Sequence, residues 1–135
     1  MSERRAGAGE SVEIDGRSLD LEIFRAVALE GRRVALAESA RERVRAARAM
    51  IEKAVASGEA VYGVNTGFGS LADVRIADSD LALLQQRLVL SHAGGVGEPL
   101  DDAVVRGMLL LRANTLARGH SGAREVIVDR LLDLL

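Results

Sequence analysis

Two periods of apolar residues organise the chain. Val12-Glu13-Ile14 alternates and predicts a short strand, and Asp15-Gly16 behind it is a hairpin-type turn signal. Arg33-Val34-Ala35-Leu36 predicts a second short strand. Elsewhere the period is helical. Leu19, Ile23 and Val27 repeat at helical spacing, Phe24 and Ala28 widen that face, and Gly31 is a natural stop. Ser39 and Glu42 form an S-x-x-E capping box that opens a second helix running to about residue 57, with Val44, Ala47, Ile51 and Ala54 inward and Gly58 as its end. A third helix starts near Asp78 with Leu81, Leu84 and Leu88 inward, and the glycines of 94–99 break the chain again. Asp101 or Asp102 caps a fourth helix that reaches about Ala117. Its centre, Met108-Leu109-Leu110-Leu111, is apolar nearly all round, which predicts burial on several sides. A fifth helix follows Ser121 and runs into Leu131-Leu132-Asp133-Leu134-Leu135, a leucine-rich end that calls for a packing partner. The expected fold class is mainly α, about five helices with a short β-hairpin near the start. Residues 1–11 are expected to be a flexible tail and residues 12–135 one domain.

Composition narrows this picture. The chain has 135 residues, 48% of them hydrophobic, which suits one domain or part of a larger one with a real core. Only 2% are aromatic and there is no Trp, so the core must be aliphatic. A net charge of -2 with arginines interleaved among glutamates points to solvated helix faces and to no nucleic-acid or membrane partner. The absence of cysteine excludes disulfides, a thiolate nucleophile and cysteine metal sites. The polar start offers no signal peptide, and no stretch approaches the roughly 18 apolar residues of a membrane helix. A cytoplasmic location is the default expectation.

Two glycine-rich segments carry candidate chemistry. The first, at 61–70, holds the chain's single tyrosine, Tyr62, among Gly63, Gly67 and Gly69. A tyrosine on such a loop is a candidate general acid or base, and equally an anchor for a turn. The glycines are out of register for a P-loop or a dinucleotide fingerprint, and the P-loop lysine is missing. The second segment, at 88–99, places Ser91 and His92 where the third helix meets a glycine-rich break. A histidine there also suits the negative end of a helix dipole. His120 stands alone in an Arg-Gly-His-Ser-Gly turn, no metal-ligand spacing is present, and there is no G-x-S-x-G elbow.

Three stretches together resemble consecutive signatures of the aromatic amino acid ammonia-lyase and aminomutase family. They are Tyr-Gly-Val-Asn-Thr-Gly-Phe-Gly at 62–69, Leu-Gln-Gln-Arg-Leu-Val-Leu-Ser-His-Ala-Gly-Gly-Val-Gly-Glu-Pro at 84–99, and Arg-Ala-Asn-Thr-Leu-Ala-Arg-Gly-His-Ser-Gly at 112–122. Their order and spacing also fit, and the resemblance spans roughly 12–135. It implies the amino-terminal part of the ammonia-lyase fold, a soluble homotetramer or a complementing lyase segment, and a methylidene-imidazolone electrophile made from an internal Ala-Ser-Gly. By the same resemblance, Tyr62 matches the base that takes the substrate's β-proton and Gly63 the glycine close to the substrate. Ser91 and His92 match the pair facing the substrate's ring. The Ser-His pairing resembles histidine-specific members, which convert L-histidine to urocanate. Plant-like phenylalanine and tyrosine lyases usually carry leucine at position 92, whereas some tyrosine aminomutases keep Ser-His. A tyrosine or phenylalanine lyase or aminomutase therefore stays open, as does a non-catalytic assembly subunit of the same fold.

An Ala-Ser-Gly occurs at Ala56-Ser57-Gly58, but it precedes Tyr62 and reads as a helix end with glycine just past the last turn. The resemblance puts the electrophile-forming tripeptide beyond Leu135, so the chain by itself is expected to be inactive.

Overall fold

The computed structural model describes residues 11–67 and 76–135. The tail expected over 1–11 falls outside these residues except for Ser11. The chain divides into two compact units, Met1–Ala49 with Leu100–Leu135, and Met50–Pro99. Among the described residues are strands β1 (Val12–Ile14) and β2 (Val34–Leu36) and five α-helices: α1 (Leu21–Ala28), α2 (Glu38–Ala56), α3 (Leu81–His92), α4 (Asp102–Ala117) and α5 (Glu125–Asp133). The mainly α class with five helices is as expected.

The strands pair, but not as a hairpin. β1 and β2 are parallel, with Val12 opposite Val34, Glu13 opposite Ala35 and Ile14 opposite Leu36. Parallel strands need a crossover, and α1 is that crossover. The Asp15-Gly16 signal is spent on entering it. Asp15 Oδ1 accepts from the Arg17 and Ser18 amides and the Ser18 hydroxyl, each at 2.8 Å. These bonds hold its carboxyl down at about 2, from 3.8. Asp20 then caps α1, its Oδ1 accepting from the Ile23 amide at 2.8 Å.

The capping box expected at Ser39 and Glu42 gives way to a start two residues earlier. α2 begins at Glu38, the Ala37 carbonyl accepts from the amides of Ala40 and Arg41, and Ser39 lies inside the first turn. At α4 the candidate caps are resolved in favour of Asp101, whose Oδ1 accepts from the Ala103 amide at 3.1 Å.

The core of the first unit is aliphatic, as composition requires. Val12, Ile14, Val27, Leu36, Ala40, Val44, Leu110, Ala113, Ala117 and Val128 form it, and Phe24, Leu131, Leu132 and Leu135 pack against it. α4 presents Gly107, Leu110, Ala113 and Ala117 inward. These residues are mostly small, so neighbours approach closely. A Cβ on Gly107 would lie 2.7 Å from the end of the Phe24 ring. Within this chain α4 is buried on one side: Leu110 is fully buried, whereas Met108 is 59% exposed and Leu111 51%. Met108 and Leu111, with Leu100, Val105 and Leu131, line an open apolar hollow of about 650 Å³.

Charge fastens α5 to α2. Arg41 bonds both Glu125 and Asp129, and Arg45 reaches the same Glu125 through Nε at 2.6 Å. Paired guanidinium–carboxylate bonds are directional, and a shared network outlasts isolated surface pairs. The two arginines hold the Glu125 carboxyl at about 2, against an ordinary 4.5.

Two expected outcomes follow from this packing. Gly16 adopts φ +82°, and a Cβ there would meet the Arg118 backbone nitrogen at 2.7 Å, whereas Gly31, at φ +73°, has open space around it. Gly16→Ala should therefore lower unfolding stability by about 3 kcal/mol, from left-handed strain plus overlap, and Gly31→Ala by about 1 kcal/mol from strain alone. Urea unfolding of the two variants measures the difference. A carboxylate with a depressed folded value stabilises fully above its unfolded value and loses that contribution as pH falls. Stability should thus decline as pH drops from about 4.5 towards 2, and Glu125→Gln should flatten that decline in acid-unfolding curves.

Candidate functional site

Tyr62 and Gly63 stand on a tight turn that follows α2. The turn is held by two polar side chains that the sequence reading left without a role. Asn65 is only 1% exposed and Thr66 2%. Asn65 Oδ1 accepts from the Val61 amide at 2.7 Å, and its Nδ2 donates to the Glu59 carbonyl at 2.8 Å. Thr66 Oγ1 accepts from the Gly63 amide at 3.3 Å and donates to the Gly67 carbonyl at 3.1 Å. The Val64 and Asn65 amides close on the Val61 carbonyl. Gly63 takes φ +75°, a conformation natural to glycine, so the tyrosine's neighbour is set by backbone geometry. The result is a turn whose backbone is clamped from inside while Tyr62 is 64% exposed. The signal that finds Asn65 and Thr66 is local. Short polar side chains between glycines bond the nearby backbone in preference to regular structure. Phe68, Gly69 and Ser70 of the same signature lie outside the described residues.

Ser91 and His92 occupy the last turn of α3. Leu81, Leu84 and Leu88 are half-buried along that helix, the stripe expected of them, while Ser91 and His92 are exposed. The pair is brought together: Ser91 Oγ lies 3.0 Å from His92 Nδ1. Both also reach one carbonyl, that of Leu88, Ser91 Oγ at 2.8 Å and His92 Nδ1 at 2.9 Å. Tyr62 with Gly63 and Ser91 with His92 are thus carried on separate elements of the Met50–Pro99 unit.

Ala56-Ser57-Gly58 is a closed helix end. The Gly58 amide donates to Val55 and the Glu59 amide to Ala54, with Gly58 at φ +79°. This double closure is a Schellman motif. Ser57 is engaged as well, its amide bonded to the Lys53 carbonyl and its Oγ donating to Ala54 at 2.9 Å.

The signature at 112–122 serves architecture. Asn114 Oδ1 accepts from the Gly16 amide at 3.0 Å, and Ala113 and Ala117 are fully buried. Gly119 fits against Arg43, where a Cβ would sit 2.9 Å from backbone. His120 is exposed. Among the described residues no group of three or more His, Asp or Glu is arranged to hold a metal ion, and no helix is long and apolar enough to cross a membrane.

Comparison with known proteins adds an independent line. The family model described as aromatic amino acid lyase matches residues 19–135. A histidine ammonia-lyase of Anaeromyxobacter dehalogenans is 55% identical over 126 residues, 93% of this chain and 25% of that protein. The chain thus spans about a quarter of the length of that curated relative. Among solved structures, histidine ammonia-lyase from Trypanosoma cruzi is 41% identical with a TM-score of 0.80, covering 91% of this chain and 24% of that one. Tyrosine aminomutase from Streptomyces globisporus is 33% identical with a TM-score of 0.85, covering 92% of this chain and 24% of that one.

The clamp on the Tyr62 turn is open to a direct test. Asn65→Ala removes two bonds and leaves the Val61 amide and the Glu59 carbonyl unpaired. It should cost about 1–3 kcal/mol and abolish slow amide exchange at Val61. Hydrogen-exchange mass spectrometry over 59–67 reads it, and unchanged protection there would remove the clamp.

Proposed function

The chain belongs to the aromatic amino acid lyase family, and from that premise we propose that it is the amino-terminal part of an enzyme that eliminates ammonia from L-histidine to give urocanate. The observation that carries this reading is the 55% identity to a histidine ammonia-lyase over nearly the whole chain. Tyr62 is the base, and Gly63 and the Ser91-His92 pair are the substrate-facing residues.

The chemistry explains why the turn is built as it is. The β-proton of an amino acid is weakly acidic, so a base must be held in line with it while the amino group departs. The proton passes to the Tyr62 oxygen, the electron pair of the C–H bond forms the Cα–Cβ double bond, and the C–N bond breaks with its electron pair going to nitrogen. Asn65 and Thr66 fix the backbone under Tyr62, so the base is placed without a search over turn conformations. The exposed phenol side chain is where a substrate reaches it.

The methylidene-imidazolone, when present, supplies the electrophile that makes the amino group a leaving group. The residues of this chain do not fit its precursor. Ser57 and Gly58 are locked in a helix end, and the cyclisation needs a compressed, strained backbone. The precursor belongs instead to the part of the family's length beyond residue 135, as do further substrate-binding groups and the homotetramer they build. A cytoplasmic location goes with this reading.

A second reading, an enzyme acting on L-tyrosine, draws on the likeness to tyrosine aminomutase. Profiling the full-length polypeptide on both amino acids separates the two. In the same polypeptide, Tyr62→Phe should lower urocanate formation, followed by absorbance, by roughly 10²- to 10⁴-fold. Near-normal turnover in that variant removes Tyr62 as the base.

A further inference from the structure

We propose that Ser91 and the Leu88 carbonyl lock the His92 imidazole in the tautomer protonated at Nδ1, so that Nε2 presents a fixed hydrogen-bond acceptor to the ring of the substrate. The inference rests on the reading that this pair faces that ring, and it assigns Ser91 a different task within it: Ser91 is a positioning residue that acts through His92.

The tautomer follows from the protons that gather around a single oxygen. His92 Nδ1 lies 2.9 Å from the Leu88 carbonyl oxygen. A carbonyl only accepts, so a stable contact at that distance requires the proton on Nδ1. Ser91 Oγ lies 2.8 Å from the same oxygen and has one proton, which it donates there. Its lone pairs then remain for Nδ1, 3.0 Å away. With the His92 main-chain amide of the last helical turn, three donors converge on this carbonyl, and the Nδ1 proton is shared between that oxygen and the serine. The other tautomer would set the nitrogen lone pair against the carbonyl lone pairs, with a hydroxyl unable to serve both. An unrestrained imidazole populates both tautomers, whereas this helix end selects one.

A neutral imidazole has one donor and one acceptor nitrogen. With Nδ1 occupied by its own helix, Nε2 is the acceptor on an exposed side chain. The ligand chemistry it complements is a ring that carries a donor. A neutral imidazole always has an N–H, and a phenol has an O–H. A phenyl ring has neither, and it would bury the Nε2 lone pair without a partner. The lock therefore sorts substrates by whether the ring can donate, before shape discriminates further.

Solid-state ¹⁵N spectra of the histidine-labelled full-length polypeptide, with His92→Gln as the subtraction blank, test the lock in the absence of substrate. The expected result, on the neutral side of the imidazole titration, is a protonated Nδ1 and an unprotonated Nε2 for His92. Ser91→Ala removes one of the two groups that hold Nδ1 at this helix end, so the ring should leave the Leu88 carbonyl for part of the time, yield a mixture of tautomers and raise KM for L-histidine up to roughly tenfold, with a smaller change in kcat. Ser91→Thr, which keeps the hydroxyl, should restore both readings. A His92 protonated on Nε2 overturns the proposal, as does a Ser91→Ala protein with tautomer and KM unchanged. If the wild-type polypeptide fails to turn over L-histidine, the functional reading falls, and the substrate-free spectrum still decides the lock.

Discussion

Where the chain leaves β1 there is no room for a side chain. Gly16 lies against the backbone at the end of α4, its amide bonded to Asn114 and its α-carbon facing the Arg118 nitrogen. The residue before it, Asp15, offers its carbonyl to Arg43 on α2 at 2.6 Å. Arg43 in turn lies against Gly119, just past α4. Three segments distant in sequence therefore meet at one node, and each contact depends on a glycine or on a long cation reaching a carbonyl. β1, α2 and the end of α4 are held together by that close approach. The aliphatic cluster from Val12 to Val128 fills the space that the node leaves.

The candidate site uses the same economy in a smaller volume. In the Tyr62 turn two buried side chains bond the Val61 and Gly63 amides and the Glu59 and Gly67 carbonyls, in place of the ladder bonds that a strand or helix would have supplied. At the end of α3 one carbonyl organises a serine and a histidine. In both places side chains and backbone groups a few residues apart are bonded to each other.

Much of this was legible beforehand, for identifiable reasons. The five helices follow from apolar periodicity, and the half-buried stripe of α3 falls on Leu81, Leu84 and Leu88 as spacing predicts. The glycine at the end of α2 was readable because its left-handed conformation has a local signature. The parallel pairing was not readable, since Asp15-Gly16 serves a hairpin and a helix entry equally well, and the Gly16 amide finds its partner in Asn114, nearly a hundred residues away. The early start of α2 escaped because Ala37 closes it with its carbonyl alone, without the polar side chain a reader looks for. The apolar surround of Met108 to Leu111 is legible in the sequence, but what lies upon each side is not, because sequence records only that a face is apolar. Asn65 and Thr66 were present in the quoted signature but carry no chemistry of their own. Their importance appears only once their backbone partners are known.

The first unit is assembled from two stretches separated by the whole of the second, Met1–Ala49 and Leu100–Leu135 around Met50–Pro99. A polypeptide emerging from the ribosome therefore exposes β1, β2 and the start of α2 long before Leu110 and Val128 exist to cover them. Domains generally fold as units during synthesis, and long-range closure is slow. The amino-terminal strands must wait, with Val12, Ile14 and Leu36 open to solvent and to chaperones, until the carboxyl-terminal helices are translated. The order of synthesis thus runs against the order of packing, and the time at risk is set by the speed at which residues 50–128 are made.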